Sequence, residues 1–191
     1  MKFDYDVHEL PGLTATLNLG YDYSEAEGYV FVPVQASWEY DEQNGGGVDR
    51  DYGQTKRNEL LDFYLNYQTD LDELDSRINL MGGYSWQHFW RKGFTQQTNV
   101  AKTITDQDTD YKTENYLVSF FGRLNYTFKD KYLLTATLRR DGSSRFAEDN
   151  RWGLFPSAAV AWQIHKEPFL ENVDAINELK FDAAIGGARR D

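Results

Sequence analysis

The chain has no cysteine, two methionines and four prolines among its 191 residues. The missing cysteine excludes disulfides and thiolate metal sites, though many proteins of oxidising compartments also lack disulfides. No apolar run approaches the ~20 residues that a spanning helix needs. Met1-Lys2-Phe3-Asp4-Tyr5-Asp6 has no apolar core of a secretory signal. Basic charge is scarce: 20 Lys and Arg stand against 31 Asp and Glu, a formal net charge of -11. A general nucleic-acid binder needs a basic stripe to neutralise phosphates, and this balance argues against that class.

Several local motifs also fail. Gly45-Gly46-Gly47 lacks the Lys-Ser/Thr of a phosphate loop. His8, His88 and His165 are scattered, without metal-ligand spacing, and fall at turns or strand ends. Asp106-Gln107-Asp108-Thr109-Asp110 starts like a calcium loop, but Tyr111 and Leu117 occupy the positions where an EF-hand needs Gly and Glu. It reads as a solvated acidic loop, with a looser calcium site as the alternative. No G-x-S-x-G elbow accompanies the serines. No catalytic constellation, metal site or cofactor site is read, and the chain is expected not to be an enzyme.

What is abundant is the aromatic ring: Tyr 13, Phe 12 and Trp 5 make up 16% of the chain, yet mean hydropathy is -0.69. Tyr and Trp concentrate where one end of a ring is apolar and the other wet, as in the two girdles of a membrane barrel.

Period-two alternation runs in stretches of the ~9–11 residues that a tilted membrane strand requires. Tyr116, Val118, Phe120, Gly122, Leu124, Tyr126 and Phe128 alternate with Ser119, Arg123, Asn125 and Thr127. The turn Lys129-Asp130-Lys131 follows, and Tyr132, Leu134, Ala136 and Leu138 continue the apolar set. The same pattern predicts strands over Lys2–Val7, Leu13–Tyr23, Leu61–Gln68, Ile78–Gln87, Leu154–Ile164 and Leu179–Ile185, with a turn in Glu171–Asn177 as the only helical candidate. Long polar connections, Ser24–Arg57 and Gln87–Asn115, alternate with short ones, Thr69–Asp75 and Lys129–Lys131. Outer-membrane barrels place long loops on one side and tight turns on the other. The fold class expected is therefore all-β, an antiparallel up-and-down transmembrane β-barrel segment of about eight strands. Two alternatives stay open. One is a complete small eight-stranded barrel filled by Leu117, Phe121, Leu133 and Phe155; the other is a soluble carbohydrate-binding β-sandwich.

One stretch is more specific. Phe120-Phe121-Gly122-Arg123-Leu124-Asn125-Tyr126 leads through Tyr132–Leu138 into Arg139-Arg140-Asp141-Gly142-Ser143-Ser144-Arg145-Phe146, and Trp152-Gly153-Leu154-Phe155-Pro156-Ser157 closes the hairpin. This run resembles the barrel of the SusC/RagA family of TonB-dependent outer-membrane transporters. Glu167-Pro168-Phe169 resembles the family pattern too, as does Leu61–Tyr67 more weakly. The resemblance implies the outer membrane of a Gram-negative bacterium, lipid around the wall and import of oligosaccharides or peptides. It also implies a SusD-like surface lipoprotein as a cap and TonB as the energy source. Such transporters have a large barrel and an N-terminal plug; neither a plug nor a TonB-contacting segment is read here. Residues 1–191 are expected to be a partial barrel domain, an internal fragment.

Gly122, Arg123, Arg139, Arg140, Asp141, Gly142, Ser143, Ser144, Arg145, Phe146, Trp152, Phe155, Pro156 and Ser157 are expected to act structurally, with Asp141-Gly142-Ser143-Ser144-Arg145 forming a turn. Trp86, Phe89, Trp90 and Phe94 lie where a strand meets a long connection. An interfacial girdle is the plainer reading for them. The sharper one makes Trp86, Trp90 and Phe94 a stacking platform for substrate sugars.

Overall fold

A computed structural model describes residues 1–39, 46–170 and 177–190, with the backbone alone at Arg190. Gly45 and most of Glu171–Asn177 lie outside the described residues, so the turn expected there has no structural account.

The described residues form one antiparallel sheet. Its strands are β1 (Lys2–Asp6), β2 (Leu13–Val32), β3 (Val48–Leu71), β4 (Ser76–Thr98), β5 (Thr105–Phe128), β6 (Tyr132–Ser143), β7 (Trp152–Gln163), β8 (Lys180–Gly186) and the two-residue β9 (Arg189–Arg190). Strand order follows chain order from β1 to β8, and β9 pairs back on β7. The order is linear, with β1 and β8 at its ends, so the described residues do not close into the complete small barrel. Eight strands are as expected; β9 is an addition.

The strands are longer than the alternation predicts. The two long polar connections are mostly strand, and the described residues left outside strands are 33–39, 46–47 and 99–104. Asp106–Asp110 is part of β5, not a loop. The physical reason is local: Thr105–Glu114 is exposed at every residue, on both faces. A ladder held by backbone bonds with water on both sides imposes no apolar alternation.

The contacts divide the chain into two units. One comprises Met1–Leu19, Leu60–Gln87 and Tyr116–Asp191, the other Gly20–Glu59 and His88–Asn115.

In the first unit the pairings of β1 with β2 and of β5 through β8 keep one face largely apolar. β5 and β6 pair from Leu117↔Ser143 to Phe128↔Tyr132, and β6 and β7 from Tyr132↔Trp162 to Gly142↔Trp152. Even positions therefore share a face across the three strands: Phe120, Leu124, Tyr126, Leu134, Leu138, Val160 and Trp162. β8 joins with the opposite parity, placing Phe181, Ala183 and Ile185 on that face. β1 with β2 does the same through Phe3, Tyr5, Leu17 and Leu19. These side chains are on the outside: Phe120 is 50% exposed, Leu138 53% and Ile185 76%. Among the described residues the buried hydrophobics are Ala36 and Val48 alone, and no large side chain is fully buried. A soluble sandwich buries one face of each sheet in a core. Among the described residues no such core is present, and that expectation is set aside.

The opposite face is polar and bonded across strands. Thr16 donates to Asp4 (2.7 Å), Asn79 to Asn66 (3.1 Å) and Thr135 to Asn125 (2.9 Å), while Ser85 donates to Asp62. The hairpin between β5 and β6 turns through left-handed Lys129 and Asp130, with φ of 51° and 50°. That backbone twist suits an antiparallel hairpin.

Candidate functional site

On the polar face, the motif residues gather at the end of β6 remote from Lys129–Lys131. Register sets Phe121 opposite Arg139 and Ser119 opposite Asp141, with Arg139 opposite Phe155 on the other side. Arg139 Nε donates to both oxygens of Asp141, at 2.7 and 3.0 Å, and its Nη2 donates to Ser119 Oγ at 3.0 Å. The guanidinium also lies 5.9 Å from the Phe121 ring centroid. One N–H shared between both carboxylate oxygens, with a second N–H on Ser119, holds the guanidinium in place. A concavity of about 360 Å³ opens beside it, lined by Ser85, Gln87, Leu117, Arg151 and Phe155 among others. Arg123 and Ser157, both opposite Thr137, belong to the same face.

The expected turn at Asp141-Gly142-Ser143 is corrected: all three residues are extended within β6, and the chain turns from Ser144. Gly142 is needed for close approach, because a Cβ there would meet the Trp152 ring at 2.9 Å. Ser144 Oγ accepts from the Tyr116 amide at 2.8 Å and Ser143 Oγ from the Arg145 amide at 3.3 Å. Arg151 Nε reaches the carbonyl of Phe146 at 3.2 Å. Pro156, which has no N–H, accepts through its carbonyl from Gly187 at 3.0 Å. On the other face, the Arg140 guanidinium covers the Trp152 ring at 4.9 Å, and Trp152 stacks on Phe120 at 6.3 Å. The face of Gly122 is that of Leu138, its partner in the register.

In the first unit Ile78, Leu80 and Trp86 share the even positions of β4; in the second, Trp90 and Phe94 do. In the first unit Trp86 meets Tyr116 at 6.3 Å. In the second unit Arg57 lies 5.2 Å above Trp90, and the Phe94 ring covers Gly53.

The sequence gives no hint of a further cluster in the second unit. His88 is 7% exposed and sits within β4, not at a strand end. Its Nδ1 is 2.8 Å from Glu59 Oε2 and its Nε2 is 3.0 Å from Glu114 Oε1. Lys112 pairs with Glu114 at 3.0 Å. The three residues come from three strands, so no local spacing announces them. Among the described residues no group of side chains is arranged to hold a metal ion.

A second cluster ties the strand ends beside Lys131. Glu167, 9% exposed, accepts from the Tyr132 hydroxyl at 2.7 Å, the Trp162 indole N–H at 3.0 Å and the Lys131 ammonium at 3.2 Å. The Tyr132 hydroxyl foremost, then the Trp162 indole, hold the Glu167 carboxyl at about 2 against the opposing effect of burial.

Residues 2–175 match the family model described as "TonB dependent receptor-like, beta-barrel". The chain belongs to this family. It is 40% identical to "TonB-dependent receptor SusC" of Bacteroides thetaiotaomicron, over 96% of this chain and 18% of that protein. It is 32% identical to "TonB-dependent receptor P39" of Formosa agariphila, over 98% of this chain and 19% of that one. The chain thus spans about a fifth of the length of these curated relatives. Among solved structures, the RagAB peptide transporter superposes with a TM-score of 0.76 at 20% identity, covering 92% of this chain and 20% of that one. The RagAB peptide importer in its "open-open" state gives 0.77 at 20% identity, with the same coverage. These likenesses show the fold, an antiparallel barrel-wall segment of a TonB-dependent receptor.

Proposed function

We propose that this segment forms part of the wall of an outer-membrane import channel in a Gram-negative bacterium, with its apolar face in lipid and its polar face toward the lumen. The observation that carries this is the two-faced sheet without a core. Phe120, Leu124, Leu134 and Val160 line one side, and the Thr, Asn, Asp and Arg139 network lines the other. Along β5 the apolar face runs from Tyr116 to Phe128, a rise of roughly 40 Å at ~3.3 Å per residue. Tilted by ~45°, it spans about the ~25 Å band of such barrels.

The cargo proposed is an oligosaccharide or a peptide: the family resemblance supports either, and the RagAB structural neighbour is described as a peptide transporter. A SusD-like surface lipoprotein would cap the channel, and TonB would drive it through parts of the protein outside this stretch. Trp86 meets Tyr116 of the apolar set, which favours a place in the aromatic girdle for it over sugar stacking in the lumen. The motif residues from Gly122 to Ser157 hold the luminal and outer surfaces of one hairpin in register.

Because the chain has no native cysteine, single cysteines test the reading in the intact membrane protein. Cysteines at Phe120 and Leu134 should react with a bilayer-dissolved label, and those at Asn125 and Thr135 with an aqueous one. The reverse pattern overturns the assignment of faces. Deletion of the gene should abolish growth on the imported oligosaccharide or peptide.

A further inference from the structure

In the second unit the offset between β3 and β4 brings two cations together. Glu59 meets His88, Arg57 covers Trp90, the Phe94 ring covers Gly53 and Arg50 donates to Gln97. One offset satisfies all four contacts, and it sets Lys56 directly opposite Arg91. Alternation turns this pair away from the face of Arg57 and Trp90, onto that of Arg50 and Gln97. Like charges directly opposite one another destabilise a sheet. Among the described residues neither Lys56 nor Arg91 has a hydrogen bond or an ion pair to offset the repulsion. Asp22 accepts from Asn58 at 3.0 Å and Asp106 from Gln97 at 3.3 Å, so these acids are engaged elsewhere. Arg91 is exposed and Lys56 half-buried.

A tyrosine ring lies next to the pair. Gly93 is two residues along β4 from Arg91, and a Cβ there would meet the Tyr111 ring at 2.6 Å. The missing side chain lets the ring lie down over the strand. Gln54, two residues along β3 from Lys56, donates to its hydroxyl. With one side of the ring on the glycine, Tyr111 is still 38% exposed. Tyr52 covers Gly28 in the same manner and is 44% exposed.

Two opposed cations without a carboxylate are completed by an anion between them. A ring laid flat beside them offers an apolar surface to the C–H face of a pyranose, and its polar rim suits hydroxyl groups. An extended peptide is held chiefly through a free strand edge, whereas β3 and β4 are each paired on both sides.

We propose that this patch is a subsite for an acidic oligosaccharide. The carboxylate of a uronic acid sits between Lys56 and Arg91, and a pyranose ring stacks on Tyr111. The inference rests on the import reading above, with this sugar as cargo.

The intact protein is titrated by calorimetry with three probes: oligogalacturonate, its methyl ester and tetraglutamate. Esterification removes the charge and keeps the sugar, while the peptide keeps the charge without the sugar. Oligogalacturonate should bind roughly twentyfold tighter than the ester, the upper scale of two exposed ion pairs. Lys56→Ala combined with Arg91→Ala should bring the acid down to the affinity of the ester and leave the ester unchanged. Tyr111→Ala should weaken both sugars alike. Without ligand, Lys56→Gln should raise the thermal midpoint by relieving the repulsion, and a lowered midpoint contradicts the opposed cations. Equal affinity for acid and ester overturns the anion site, and tetraglutamate binding as tightly as the acid overturns the choice of a sugar. Both outcomes leave the wall assignment standing, because the cysteine labels read it separately.

Discussion

His88 and Glu59 meet at 2.8 Å across β3 and β4, and a second carboxylate, Glu114, approaches the other ring nitrogen at 3.0 Å. The imidazole thus separates two acids within a ladder that has little apolar packing. His88→Ala should lower unfolding stability by about 1–3 kcal/mol, the scale of leaving part-buried polar groups unmatched. Urea unfolding in bilayers measures it. A double-mutant cycle with Glu59→Gln should show coupling between the two residues.

Glu167 makes stability depend on acidity. Its carboxyl titrates at about 2 in the folded protein, below its ordinary 4.5. A depressed acid contributes in full above its unfolded value, and the contribution is lost as pH falls from about 4.5 toward about 2. Glu167→Gln should flatten the stability profile over that window and leave its slope above pH 5 unchanged. Unfolding titrations at half-unit pH steps are the measurement.

The two faces of β6 should respond oppositely to one cation. Ala136 lies on the apolar face between Leu134 and Leu138, so Ala136→Arg should cost about 2–4 kcal/mol in a bilayer. Thr135, one residue earlier, bonds Asn125 on the polar face. Thr135→Arg should cost only that bond, about 1 kcal/mol.

Gly142 has no room for a methyl group, since the Trp152 ring carbons lie 2.9–3.0 Å from where a Cβ would be. Gly142→Ala should cost about 1–3 kcal/mol through overpacking. It should also change the near-ultraviolet circular dichroism by displacing Trp152 from Arg140. An unchanged aromatic signal would contradict the packing described.

How far the fold could be read in advance follows the medium each face meets. The hairpin of β5 and β6 was legible between Tyr116 and Arg139 because one face is apolar and the other polar. The outer parts of β2 to β5 were not. Strands such as Thr105–Glu114, exposed on both sides, carry no contrast to read, and their polarity passes for loop. Asp141-Gly142 misled differently, since glycine serves a close ring there as readily as a turn. His88 was invisible because its partners lie 29 and 26 residues away in the chain. The Arg139 cluster could be suspected from its motif, but only register placed Ser119 within its reach.

With no large side chain sealed inside the described residues, the lipid-facing assignment proposed above has hydrocarbon take the place that a soluble protein fills with its own interior. Exchanges among leucine, valine and phenylalanine at positions such as Leu124, Leu134 or Val160 then leave no hollow, because fluid chains flow into whatever shape remains. The wall is specified by polarity and ladder register, and its outward contour is free to drift.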